Sequence, residues 1–273
     1  MTDVVARAAR LRGGPESLAR FAAARLAGRV AGVWLTDATP DERAALARHV
    51  ALVEPPARTQ VAPIAAALAG ADARLIGDWA RGQPAEPGAW LVTDHPAVAA
   101  FMAGLGGRTA ERASAAFAGC LLALPGVAVL PLSLLAGQLR AGDDIDASRW
   151  AAAEDDGPSN QTRVGDAVER LLRVRATLPG FAAGGACQIP DAGQGVLLVI
   201  RDAPDGDGTP MGAQRGRVVC ITNLTGEECL VSPDWRALLG TRNAIRDQVT
   251  GVRFNVHGPS LGLAPWQVVW ATV

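Results

Sequence analysis

The stretch Gly32-Val33-Trp34-Leu35-Thr36-Asp37-Ala38-Thr39-Pro40-Asp41-Glu42 decides the fold class. An apolar run of strand length ends in a polar residue, and a helix start follows at once. Thr39 is placed to cap that helix, Pro40 takes its first position, and Asp41 and Glu42 put negative charge in its first turn. The helix is expected to run to about His49. A strand feeding directly into a helix is one βα unit, and the pattern recurs on both sides of it. Residues 15–26 are Ala-rich and amphipathic, a helix. Residues 50–54 read as a second strand, stopped by Pro55-Pro56. Residues 61–68 read as a helix, 73–78 as a third strand, 90–94 as a fourth and 126–130 as a fifth. Residues 97–105 and 109–122 lie between the last two as helices. Strands alternating with helices imply a parallel sheet of the α/β class.

The pattern then changes. Residues 142–162 are polar and Asp-rich, a surface loop. Residues 164–178 form a helix, with Val168, Leu171, Leu172 and Arg175 at helical spacing and Pro179-Gly180 as its stop. Beyond Phe181 the periodicity is two. Strands are expected at 196–200, 218–223, 228–231, 252–256 and 267–272, with a long polar turn at 202–214. The expected organisation is an α/β domain over 1–182 followed by a small all-β sandwich domain over 183–273.

Composition narrows the function. The 273 residues carry 26 basic and 27 acidic side chains, which excludes an overall basic nucleic-acid binder and a polybasic membrane handle. Apolar residues at 49% against 19% charged describe a globular chain rather than a disordered one. Every basic residue is Arg and Ala is abundant, the mark of a GC-rich coding sequence rather than of phosphate binding. The longest apolar region, around 120–135, is broken by Pro125-Gly126 and Pro131 and is not a membrane span. Cys120, Cys187, Cys220 and Cys229 show no CxxC spacing and read as reduced thiols. With no leader-like N-terminal segment, a cytoplasmic location is expected. Three scattered histidines make no zinc site. No P-loop, no GxGxxG after a strand and no GxSxG elbow around Ser133 are present. No metal or cofactor is therefore expected.

Four motifs in order over residues 88–273 resemble the α-amylase superfamily, the family 13 glycoside hydrolases, and within it the sucrose phosphorylase branch. Residues 121–127 (Leu-Leu-Ala-Leu-Pro-Gly-Val) are similar to the family's entry into its eighth barrel strand. Ser133-Leu134-Leu135-Ala136-Gly137 is similar to the loop that follows. Residues 171–181, ending Pro179-Gly180-Phe181, resemble the helix that leads into the C-terminal module. Leu263-Ala264-Pro265-Trp266-Gln267-Val268-Val269-Trp270 resembles the terminal strand, with Trp266 where Tyr is usual, and Asn223-Leu224-Thr225 sits where the family has a related triplet. The resemblance implies a partial or degenerate (β/α) barrel ahead of the β-module. Five strands are counted, and the first three of the family barrel are read as missing.

The resemblance also implies chemistry. Residues 32–38 are similar to the strand bearing the nucleophile, with Trp34 at the position of an Arg and one extra residue before Asp37. Glu54 matches the acid/base carboxylate at the end of the next strand. Asp94, beside His95 in Thr93-Asp94-His95-Pro96, stands near the transition-state carboxylate. A retaining mechanism needs a nucleophilic carboxylate and a protonated carboxylic acid about 5–5.5 Å apart. The competing reading is structural: Asp37 and Asp94 cap helices, and Glu54 is solvated before Pro55-Pro56. His95 is a candidate for sugar hydroxyls. Trp79 and Trp150, near loops, are candidate sugar platforms, whereas Trp34, Trp90 and Trp270 fall in expected strands, where core packing is the simpler role.

The expected substrate is an α-glucoside or oligosaccharide, with water or inorganic phosphate as acceptor. The alternative is a catalytically inactive relative, a sugar-binding or subunit-interaction module in which a homo-oligomer or partner chain covers open sheet edges. A third reading is an incomplete gene product.

Overall fold

The cap at Thr39 forms as its spacing requires. The Glu42 N–H donates to Thr39 Oγ1 (3.3 Å), and the Glu42 carboxylate accepts from the Thr39 N–H (2.8 Å). This box starts α2 (Pro40–Ala47) directly after β2 (Gly32–Asp37). A computed structural model provides the coordinates and describes residues 4–56, 58–82, 90–93, 95–137, 144–155, 160–182, 184–204, 216–234, 238, 244–256 and 260–273.

β1 (Val4–Arg12) precedes α1 (Pro15–Phe21), which continues into a π-helical turn over Ala22–Leu26. After α2 come β3 (Thr59–Ala62), α3 (Ile64–Gly70), α4 (Arg74–Gly82) and β4 (Trp90–Thr93). Then follow α5 (His95–Leu105), α6 (Gly107–Ala123), β5 (Val127–Pro131), α7 (Leu132–Leu135), β6 (Asp144–Asp146), α8 (Ala147–Asp155) and α9 (Asn160–Thr177). The first sheet has six strands in the order β2-β1-β5-β4-β3, with β6 also on β1, and every pairing is parallel. Read as a ring, this is chain order with the first strand brought back beside the fifth. A doubly wound sheet has a switch point and does not give that order; a barrel does.

The register carries the ring further. Leu52 bridges Val33, Val33 pairs with Ala6, and Ala6 pairs with Leu130. Leu130 lies two residues past Ala128, whose partner is Leu91; two residues past Leu91 is Thr93, partner of Ala62. The ladder thus returns to the same stretch of chain ten residues on, from 52 to 62. That stretch touches one end of the sheet with its first half and the other end with its second. Pro55-Pro56, with no N–H to donate, lie between the two pairings.

Several expectations change here. Residues 74–78 belong to helix α4, not a strand, and Ala73 lies in the turn before it: Ala73, Ile76 and Gly77 are buried at helical spacing while Leu75 is exposed. A short apolar run is ambiguous between the two periods. Residues 50–54 contribute only the Leu52 bridge. Pro63 divides 61–68 into the end of β3 and the start of α3. The expected loop 142–162 contains β6 and α8. Of the five expected strands only 32–37, 90–94 and 126–130 stand in the parallel sheet as strands; β1, β3 and β6 complete its six among the described residues.

The second half is antiparallel. β7 (Cys187–Gln188), β8 (Val196–Arg201), β9 (Val218–Asn223) and β14 (Val268–Thr272) form a four-stranded sheet in the order β14-β9-β8-β7. β10 (Cys229–Val231) pairs with β13 (Leu261–Leu263), and β11 (Ala244–Arg246) with β12 (Arg253–Asn255). The four-stranded sheet has two apolar faces. Leu198, Ile200, Val219, Ile221 and Val269 pack with Val231, Ile245 and Leu263 of the shorter strands. Leu197, Val199, Val218, Cys220, Val268 and Trp270 join the core of α6, α9 and the parallel sheet. Gly119 makes this approach possible, since a Cβ there would lie 2.9 Å from Val268 Cγ2. The architecture is a partial (β/α) barrel with an antiparallel β-module packed on its helices.

Candidate functional site

Strand alternation gives the parallel sheet two sides. Val4, Ala6, Ala8, Val33, Leu35, Leu91, Ala128 and Leu130 cluster with residues of the helices. Val5, Val92 and Val129 form a separate cluster with Trp34, Val53, Trp90 and Val127, and no helical residue joins it. The second set is therefore the axis side of the barrel. Trp34 and Trp90 stand on it half-buried, their rings 6.2 Å apart and tilted by 56°. Arg7, the register partner of Trp34, lays its guanidinium 4.5 Å from the Trp34 ring centre. This is the one aromatic and charged grouping on the axis side among the described residues. Sequence reading passed over it because Trp34 and Trp90 were assigned to core packing and Arg7 to no strand.

Two of the three acids, Asp37 and Glu54, share an edge of the sheet, and both are in step with its helix-facing side. Asp37 is the last residue of β2, and Glu54 lies two residues past Leu52, so both are at the C-terminal edge of the sheet. Both are exposed. Asp37 is in step with Val33 and Leu35, and Glu54 is in step with Leu52, which packs on the helix-side core. The axis-side positions at these two strand ends are Thr36 and Val53. Asp94 falls outside the described residues. His95 opens α5, and its backbone directly follows that position. The helix-cap role weighed for Asp37 belongs to Thr39.

The two candidate platforms are held elsewhere. Trp150 is 4% exposed, with its ring edge-on to Phe21 at 5.2 Å and the Arg25 guanidinium 5.9 Å away. Its faces are taken by the helix layer. Trp79 is half-buried on α4 and packs on the same core. Among the described residues, no group of three or more His, Cys, Asp or Glu is placed to hold a metal ion. Also among them, no helix is long and apolar enough to cross a membrane. All four cysteines are free thiols; burial pushes Cys120 up to about 12 and Cys220 further in the same direction.

No family model matches the chain, and no curated protein matches it. Solved structures do. An AmyP variant in complex with maltotriose superposes with a TM-score of 0.56 at 12% identity, covering 95% of this chain and 68% of that one. AmyP in complex with maltose gives 0.53 at 14%, with the same coverage. The α-amylase from H. orenii gives 0.53 at 11%, covering 89% of this chain and 61% of that one. At these identities the likeness is one of fold: the chain has the α-amylase fold over about two-thirds of the length of those proteins.

Proposed function

We propose that this protein binds an α-linked oligosaccharide on the axis side of its partial barrel and does not cleave it. The observation that carries the reading is the pairing on the axis side of two half-buried indoles, Trp34 within β2 and Trp90 at the start of β4, beside the Arg7 guanidinium, together with Thr36 and Val53 rather than carboxylates at the axis-side positions where β2 and the 50–54 stretch end. Indole faces suit the apolar faces of pyranose rings, and Arg N–H groups suit sugar hydroxyls. Retaining hydrolysis needs one carboxylate at the anomeric carbon and one protonated carboxylic acid at the glycosidic oxygen, and Asp37 and Glu54 are in step with the helix-facing residues. The maltose and maltotriose complexes of AmyP support a maltooligosaccharide as the first ligand to try. Calorimetric titration with maltotriose and maltoheptaose tests this. Saturable binding that Trp34→Ala weakens at least about tenfold is expected. Binding indifferent to that change, or turnover of the ligand, overturns it.

A second reading is favoured by the shared edge of Asp37 and Glu54. On it, the protein cleaves an α-glucoside such as sucrose, with water or, as in the phosphorylase branch, inorganic phosphate as acceptor. Release of glucose or glucose 1-phosphate that disappears in Glu54→Gln would establish it in place of the first. A self-associating subunit-interaction role fits the ring less well, because the 52–62 stretch already meets both ends of the sheet. Light scattering that shows a stable oligomer would revive that role.

A further inference from the structure

Ala264, Pro265, Trp266 and Gln267 make a tight turn closed by the Gln267 N–H donating to the Ala264 carbonyl (3.1 Å). Trp266 is at its third position with φ +57°, a backbone region that favours glycine. The indole is buried, and its N–H has no acceptor among the described residues. Two local costs are thus accepted at one residue. The contact they secure is with the other half of the molecule: the Trp266 ring meets Phe101 edge-on, centres 5.9 Å apart at 68°. The turn is itself tied down, for the backbone N–H of Trp266 donates to the Thr225 carbonyl (3.0 Å) and Asn223 Nδ2 donates to the Ala264 carbonyl (2.9 Å). Phe101 lies on α5, and one residue separates α5 from β4, the strand that presents Trp90 to the axis side.

We infer that Trp266 is a positioning residue: through Phe101, the β-module sets the placement of the β4–α5 unit and so of Trp90. The inference rests on the reading of Trp90 as sugar-facing. Strained residues that persist are over-determined by their surroundings, and they concentrate where geometry matters.

The test compares Trp266→Gly, which removes strain and ring together, with Trp266→Phe, which keeps an aromatic edge. Val231→Ala is the control; it opens the far core of the β-module without touching α5. Maltoheptaose affinity and amide exchange over residues 95–105 are measured on the full chain below the melting range of every variant. Trp266→Gly should weaken binding roughly 3- to 30-fold and speed exchange in α5. Trp266→Phe should restore most of both, and Val231→Ala should change neither. If Trp266→Gly lowers Tm as Val231→Ala does but leaves affinity and α5 exchange at wild-type values, Trp266 is only a packing residue. Should Trp266→Gly not fold, Trp266→Leu takes its place under the same criteria. If the wild type binds no maltoheptaose, the sugar reading fails, and α5 exchange alone decides the role of Trp266.

Discussion

The seat of β14 on α6 can be tested at a single glycine. Gly119 is an interior residue of a 17-residue helix, and Ala there should add about 1 kcal/mol of helix propensity. Its new methyl would stand 2.9 and 3.0 Å from the two Cγ atoms of Val268, which is buried and stiff about χ1. Relieving such overlap in a packed interior costs about 1–3 kcal/mol. Gly119→Ala should therefore be neutral to destabilising by about 2 kcal/mol, against the intrinsic preference of the helix. Val268→Ala removes the obstructing methyls and costs stability by itself. In that background, Gly119→Ala should become stabilising by up to about 1 kcal/mol, so the cycle carries a coupling of about 1–3 kcal/mol. Urea denaturation of the four proteins measures it, and each kcal/mol should move Tm by about 2–4 °C. Because one core runs from the parallel sheet through α6 into β9 and β14, the melt should be a single transition moved as a whole. Gly119→Ala that stabilises equally in both backgrounds would show that Val268 does not sit on Gly119.

Three further outcomes follow from other contacts. Asp247 is fully buried and accepts from the N–H groups of Val249, Thr250 and Trp270 at 2.9–3.0 Å and from the Thr250 hydroxyl; Asp247→Ala strands those donors and should lower unfolding free energy by about 3–5 kcal/mol in denaturant titration. The buried thiols titrate high: unfolding returns Cys120 from about 12 to an ordinary value near 9, so the unfolded chain loses its proton first, and stability should fall as pH rises from about 9 toward 12. Cys120→Ser should flatten that slope, a result a titration of Tm against pH can deny. A chain ending at residue 182 bares the α6 face that packs on Cys220, Val268 and Trp270, so it should bind an apolar dye and melt without cooperativity, where a sharp transition in scanning calorimetry would contradict the shared core.

The parts of the fold legible in the sequence are those with local chemistry. Thr39-Pro40-Asp41-Glu42 announces α2 by capping alone, and the short β-branched apolar run that ends in Thr222-Asn223 gives β9 its bounds. What stayed hidden depends on tertiary partners. β1 reads as Val-Val-Ala-Arg-Ala-Ala-Arg-Leu-Arg, too charged for a buried strand until Arg7 is seen lying on Trp34. Trp150 lies in a polar stretch, and Phe21 and Arg25, more than a hundred residues earlier, lie against its ring. Asp247 shows nothing in sequence that marks it as the acceptor of four hydrogen bonds. The candidate site was half legible: the C-terminal edge that gathers Asp37 and Glu54 follows from βα order, but the side on which they stand does not.

That side is where resemblance and register part. The segment 32–38 is similar to a nucleophile strand, with one residue more before the Asp. On a helix or in a loop, one residue displaces a group by a few ångströms. On a strand it exchanges faces. Trp34 is on the axis side, so two residues on is Thr36, and the added residue sends Asp37 to the side of Leu35 and the helices. Glu54 meets the same parity through Leu52 and Val53. A sheet can keep its order, its parallel pairing and its trailing β-module while a single-residue step in one strand moves a carboxylate to the other side. The α-amylase fold is therefore consistent here with an axis side built of indoles and a guanidinium, and Thr36→Asp is the substitution that would return a carboxylate to it.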